Sequence, residues 1–493
     1  MLLVGDFALQ LICRPIVLGK HPYRTGFAHF PTMKTILLVL AALSFSSLAF
    51  AENARRPNVI VILADDLGYA DVGFNGCKDI PTPHIDSLAQ HGVRCVNGYV
   101  SHPFCSPTRA GLLTGRYQHR FGHENNPAWL PDDPDIGLPL DQITLPQILQ
   151  KAGYVTGAIG KWHLGAEPRF HPNARGFTEY FGFLGGGHIY IPGMKGGVEY
   201  TVPVLRNREP TDEKEYMTDA LSREAAAFVA KYGKAQRASE SAEPFFLYLA
   251  YNAVHTPLQA TEKYLARFSK ITDERRRIYA AMTSAMDDGI GRVLDAVRDA
   301  GIEKDTMIWF FSDNGGPPPA VAPTDNTPLR GHKGQVYEGG IHVPFAVQWR
   351  GHIPEGTTFA EPVISLDVFA TTAALAGAQT PPDRKMDSVN ILPHLRGETK
   401  TPPHDWLHWR TGGGATWAAR EGNYKLVKPA TGPLELYDLK ADISETHNLA
   451  ADMPDLVEKL TKGHDAWNSE MIAPKWGNPP GAAKKAAPKA EAN

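Results

Sequence analysis

Cysteine is scarce in this chain. Four occur in 493 residues, at positions 13, 77, 95 and 105. So few exclude a disulfide-built scaffold. Charge of one sign is missing too: 50 Lys and Arg stand against 53 Asp and Glu. A formal charge of −3 gives no electrostatic reason to bind nucleic acid. No apolar run reaches the roughly 20 residues of a membrane span. No internal repeat is found, which argues against solenoids and propellers.

What the chain does have is Gly and Pro, 46 and 40 of them. That many punctuating residues suit an α/β enzyme carrying its chemistry on loops. Near the start, Met33-Lys34 precedes an apolar run from Ile36 to Leu48, then Ala49-Phe50-Ala51. A basic start, an apolar core and a small-x-small site predict a secretory signal peptide over 33–51. Residues 1–32 then read as an upstream extension from a start assigned too early. Export leaves Cys77, Cys95 and Cys105; Cys77 and Cys95 are a possible disulfide pair. The expected location is the periplasm or the exterior, with no membrane span once the signal is removed.

The order of elements predicts the fold class. Asn58–Ala64, Tyr154–Gly160, Phe245–Ala250 and Met307–Phe311 are short apolar runs, read as buried parallel strands. Helical patterns separate them, the longest over Asp273–Ala300. The expected architecture is a large, mostly parallel mixed sheet sandwiched by helices over 55–400. From about 401 to 470, short Trp- and Tyr-bearing strands and a last helix predict a small antiparallel α+β subdomain. An Ala/Lys/Pro-rich tail, 475–493, is expected to be disordered. Loops over 166–210, with Gly185-Gly186-Gly187, are expected to cover a site.

Polar residues collect just past the strand ends, where open α/β sheets bind ligands. Asp65-Asp66 follows the first strand and Asp313-Asn314 the fourth. An Asp after a strand often only caps a turn. Adjacent desolvated carboxylates with a further Asp and Asn suit a hard divalent cation. A donor set rich in carboxylates and poor in His favours Ca²⁺ over Zn²⁺. Lys161 and His163 share a face if the chain stays extended, with Trp162 opposite. His255 follows the third strand, where a lone His is also an ordinary structural residue. Lys333 lies in a Gly-rich loop.

Cys105-Ser106-Pro107-Thr108-Arg109 fits C-x-P-x-R at the mouth of a short helix, with Gly115 as its stop. The helix dipole and Arg109 are expected to lower the thiol pKa. The competing reading is a buried structural cysteine.

Five segments together resemble the type I sulfatases of the alkaline phosphatase superfamily. They are Leu63–Gly68, Cys105–Arg109 with Leu113–Arg116, Gly160–Gly165, Ser312–Gly315, and Leu436–Leu439 with Asn448-Leu449. Within that family the chain resembles arylsulfatases and N-acetylgalactosamine-6-sulfatases. The resemblance implies sulfate-ester hydrolysis on a sulfated polysaccharide or oligosaccharide. It implies that a formylglycine-generating enzyme converts Cys105 to formylglycine. One hydroxyl of the aldehyde hydrate attacks sulfur, and the second expels sulfate. Asp65, Asp66, Asp313, Asn314 and residue 105 would hold the metal. Arg109 and Lys161 would position residue 105, His163 would assist elimination, Lys333 would bind sulfate, and His255 would serve the leaving oxygen. Thr108 departs from the family's usual Ser. His188 and Arg410 are candidate sugar contacts; Trp406, Trp409 and Trp417 could stack on sugar rings, but three Trp in a small subdomain are more often core. Two other readings remain: a phosphonate or phosphodiester hydrolase, and an inactive glycan-binding relative.

Overall fold

The computed structural model describes residues 55–239 and 241–477. The signal peptide, the upstream extension and most of the tail expected above lie outside these residues. The strands, in chain order, are β1 (Asn58–Ala64), β2 (Val93–Cys95), β3 (Gly98–Tyr99), β4 (Val155–Lys161), β5 (Glu179–Phe183), β6 (Leu205–Arg206), β7 (Glu209–Pro210), β8 (Phe245–Ala250), β9 (Thr306–Ser312), β10 (Phe345–Gln348), β11 (Thr357–Phe359) and β12 (Val363–Ile364). Ten of them form one sheet in the order β11-β2-β10-β9-β1-β8-β4-β5-β6-β7. Its centre, β9-β1-β8-β4-β5, is parallel, and β10 runs antiparallel against β9. The fold is therefore the expected mixed, mostly parallel α/β sheet.

Strand periodicity divides the core into two layers. Ile60, Ile62 and Ala64 face one side, with the helices Met217–Ala238 and Glu274–Asp299. Val59, Val61 and Leu63 face the other, with Cys105–Thr114, Leu145–Lys151 and Asp367–Ala376. Every side chain of β1 is buried, which explains its unbroken apolar run. Thr144 and Gln147 form the capping box that opens Leu145–Lys151.

Some boundaries differ from the sequence reading. The helix Met217–Ala238 continues into the polar stretch from Lys234, which composition alone reads as a linker. Its outward face is polar because it is solvated, while Gln236 is buried and bonds Asn58. The segment 166–210 is not all loop: Glu179–Phe183 is a full strand of the sheet. Residues 475 and 476 are anchored, since Lys475 N donates to Gly122 O and Trp476 Nε1 to Asn125 O. Cys77 and Cys95 are both free thiols, so the possible disulfide is not formed.

The remaining strands, β13 (Trp406–Thr411), β14 (Thr416–Glu421), β15 (Tyr424–Lys428) and β16 (Glu435–Asp438), make an antiparallel sheet in sequential order. The helix Pro454–Asn468 packs on it. The three tryptophans take the core role that such residues more often have in a small subdomain. Trp409 is fully buried with Nε1 donating to Val100 O, Trp417 stacks on His464, and Trp406 stacks on His408. No described helix is long and apolar enough to cross a membrane.

Candidate active site

Parallel register sets β9, β1, β8 and β4 side by side, so their C-terminal ends form one edge. Asp65 and Asp66 leave β1, Asp313 and Asn314 leave β9, Asn252 and His255 follow β8, and Lys161 ends β4. Lys333 reaches this edge because β10, which follows it, runs the opposite way. The helix Cys105–Thr114 begins here with its N-terminus.

Contacts join these residues into one cluster. Lys161 Nζ lies 2.6 Å from Asp65 Oδ2. Lys333 Nζ lies 2.6 Å from Asp66 Oδ1 and 3.2 Å from Cys105 Sγ. Cys105 Sγ lies 3.5 Å from Asp65 Oδ1. Arg109 is fully buried and donates from Nε and NH2 to Asp313 Oδ2, at 2.9 and 2.6 Å. His255 Nε2 is 3.6 Å from Asp66 Oδ2, and its Nδ1 is 2.6 Å from Thr256 O. A neutral His255 therefore keeps its proton on Nδ1, with Nε2 toward the cluster.

Burial and neighbouring charge set the ionisation states. Burial alone would raise the Asp65 pKa, but Lys161, His255 and Arg109 hold it well below the usual range. Burial, then the Asp65 charge, push Asp313 up to about 6 against the pull of Arg109. His163 is held neutral by burial and by Lys161 and Arg109. Cys105 is the correction here. Burial and the Asp313 carboxylate push its thiol up to about 12, outweighing Lys161 and Lys333. The helix mouth does not lower it, because a fully buried sulfur loses more solvation than the dipole returns. As a thiol, residue 105 is a poor nucleophile at neutral pH.

Lys161 and His163 do not share an extended face. The strand stops at Lys161, and His163 takes a left-handed conformation with φ of 58°. Its ring is buried, with Nδ1 unpartnered among the described residues, and a Cβ on Gly186 would lie 2.7 Å from Nε2. Trp162 turns into the core, as expected. Ser106, His123 and Asn126 are a missed support. Ser106 Oγ donates to His163 O at 2.6 Å and meets His123 Nε2 at 2.6 Å; Ser106 N donates to Asn126 Oδ1. Only the polarity of the GHENN run at 122–126 hinted at them. Thr108 Oγ1 donates to His102 O at 2.7 Å, a bond that either hydroxyl residue can make.

His188 and Arg410 are placed elsewhere. Both ring nitrogens of His188 meet backbone carbonyls, Ile189 O at 2.7 Å and Val202 O at 2.9 Å. Arg410 is buried and committed to Glu124 Oε2, Asn468 Oδ1 and Ile472 O. Neither offers a free donor to a sugar.

The residues fit a hard cation. Donor atoms of Asp65, Asp66, Cys105 and His255 lie within 4.8 Å of one another. Asn314 donates its Nδ2 to Asp66 Oδ1 and leaves a buried Oδ1 without a partner among the described residues. An orphaned amide oxygen beside carboxylates is a ready ligand for a divalent ion.

Such an edge, with carboxylates to hold a cation and three fixed cations around a buried helix-mouth residue, defines a hydrolase of anionic esters. Comparison with known proteins sharpens the class. A family model described as "Sulfatase" matches residues 57–378, and one described as "N-sulphoglucosamine sulphohydrolase, C-terminal" matches 332–465. The N-acetylgalactosamine-6-sulfatase of Mus musculus is 34% identical over 412 residues, covering 79% of this chain and 75% of its own. A solved structure of Ps i-CgsB, in complex with k-i-k-neocarrahexaose, is 40% identical with a TM-score of 0.80, covering 85% of this chain and 94% of its own. A phosphonate monoester hydrolase of Agrobacterium radiobacter, at 21% identity and a TM-score of 0.62, shares the fold. The chain belongs to the sulfatase family and is a sulfuric ester hydrolase.

Proposed function

We propose that this enzyme removes sulfate from a sulfated polysaccharide or oligosaccharide after Cys105 has been converted to formylglycine by a maturation enzyme. The observation that carries the reading is the setting of residue 105. It is buried, within 3.5 Å of Asp65 and 3.2 Å of Lys333, and too weakly acidic to act as a thiolate. An aldehyde there would supply, as its hydrate, one hydroxyl to attack sulfur and another to release sulfate. Two relatives support the sugar class: the names quoted above carry N-acetylgalactosamine 6-sulfate and a carrahexaose.

The chain's own groups divide the work. Asp65, Asp66, Asp313 and Asn314 would hold one Ca²⁺, which would supply Lewis acidity and balance the charge of an anionic ester and an ionised hydroxyl. Arg109 fixes Asp313, and Lys161 fixes Asp65. Lys333, partly open to solvent and beside residue 105, binds the sulfate oxygens. His163 is neutral and adjacent, suited to take a proton during elimination. His255 presents Nε2 to the leaving oxygen. The expected setting is the periplasm or the exterior, consistent with the leader pattern over 33–51.

The test has three parts. Peptide mass spectrometry should find formylglycine at position 105 in protein from a host with the maturation enzyme; unmodified cysteine throughout would sink the mechanism. Sulfate release over sulfated glycans, aryl sulfates and phosphate and phosphonate esters should favour the glycans. Chelation should silence the enzyme, with Ca²⁺ restoring it and Zn²⁺ not.

A further inference from the structure

The Gly185-Gly186-Gly187 run is not explained by backbone conformation. None of the three has positive φ. Each is explained by space. A Cβ on Gly185 would lie 2.7 Å from the Glu199 Cγ, and one on Gly186 would meet His163 Nε2 at 2.7 Å and Glu199 Oε1 at 2.9 Å. A Cβ on Gly187 would overlap the Tyr200 ring. The run is a flat floor on which Glu199 and Tyr200 lie. Glu199 accepts the Gly186 N–H, Tyr200 O accepts from Ile189 N at 3.0 Å, and His188 ties Ile189 to Val202.

This packing fixes Tyr200 at the mouth of the site. Its ring stacks beside His255, with centroids 6.3 Å apart and planes 29° apart. The residue is half-buried, and its hydroxyl makes no hydrogen bond among the described residues. His255 Nε2 already marks the direction of the leaving oxygen.

We infer that Tyr200 is a specificity-determining residue whose ring face supports the sugar carrying the sulfate, beside His255. A rigid aromatic face suits the C–H surface of a pyranose and costs little side-chain entropy. The Gly185–Gly187 floor and the His188 tie are its positioning elements. The inference rests on the functional reading above, with the sugar on the leaving side.

Tyr200→Ala should raise KM for neocarrahexaose, or for the sulfated glycan best cleaved in the panel, about 10-fold or more. kcat should stay within about threefold, and the inhibition constant of inorganic sulfate should not move, because the sulfate pocket is intact. Tyr200→Phe should keep KM within about threefold of wild type. Gly187→Ala, which displaces the ring and keeps Tyr200, should reproduce the KM rise. An unchanged KM in Tyr200→Ala overturns the inference. So does a KM rise matched by weaker sulfate inhibition. A wild-type enzyme that releases no sulfate from any sulfated sugar overturns the functional reading instead.

Discussion

Two clusters of buried charge in this molecule make an instructive pair. One is the strand-end cluster of Asp65, Asp66 and Asp313 with Arg109, Lys161 and Lys333. The other joins the main sheet's flank to the small sheet: Glu338, Glu445, Lys425 and Arg420, with Tyr99 and His342. In the second, Lys425 Nζ sits 2.7 Å from Glu338 Oε1 and 2.9 Å from Glu445 Oε1, and all three side chains are buried. Glu338 also accepts from Tyr99 and faces His342 Nδ1 at 2.9 Å. Arg420 NH1 meets Tyr99 Oη. Every charged group of this cluster faces an opposite charge away from solvent, although Glu445 Oε1 makes no hydrogen bond among the described residues. The strand-end cluster keeps an orphaned Asn314 Oδ1, a partly open Lys333 and a residue at a helix mouth. Charge pairing sealed from solvent holds two sheets together; charge pairing that opens to solvent beside a helix mouth is available for chemistry.

The comparison breaks most sharply at residue 105. Cys105→Ala should reduce turnover by about 10⁴-fold or more, since the whole covalent route is lost. Its melting temperature should stay near wild type, because one small buried side chain replaces another. Near-normal turnover in this variant would refute the nucleophile assignment. Lys333→Ala comes next, with an expected loss of about 10²–10³-fold in kcat/KM from one missing charge contact to the transition state. Asn314 Nδ2 remains on Asp66, so the melting temperature should move by only a few degrees. A large drop in stability with modest loss of rate would make Lys333 a structural lysine.

The closed cluster should answer in the opposite way. Lys425→Met leaves Glu338 and Glu445 buried without their shared cation. Breaking a buried pair from one side costs about 3–5 kcal/mol, so the melting temperature should fall by several degrees. kcat should stay within about threefold, because the reacting groups are held by β1, β4, β8 and β9. A variant that melts like wild type would mean the cluster contributes no net stability.

The two clusters also differed in how far they could be read from the chain. Asp65, Asp66, Lys161 and Asp313 were legible because each follows a β-branched or aromatic strand, and Arg109 because C-x-P-x-R resembles the sulfatase family's motif. Glu338, Lys425 and Glu445 carry no such mark; they are far apart and meet only through the packing of two sheets. The same limit explains His188 and Arg410. Their types suited sugar, but backbone carbonyls and Glu124 had already claimed their donors. Cys105 shows a further limit, since dipole and arginine can be read from spacing and desolvation cannot. Glu179–Phe183 went unread because a five-residue strand ending in Phe-Gly-Phe between Gly-rich turns looks like loop.

The smallest expected effect is a pH slope. Burial, and then the Glu338 charge, raise Glu445 from 4.5 to about 7 against the pull of Lys425. Between about pH 4.5 and 7 the folded protein holds a proton that the unfolded chain has released. The unfolded state then binds fewer protons, so stability falls as pH rises across that window and levels off above it. Glu445→Gln should remove this contribution. With Ca²⁺ held constant, the wild-type melting temperature should fall more between pH 5 and 7.5 than that of the variant. Asp313 and the other titrating groups are common to both proteins, so their slopes cancel in the difference. Equal slopes would show that Glu445 keeps an ordinary carboxylate pKa, and that Lys425 neutralises both glutamates without help from a proton.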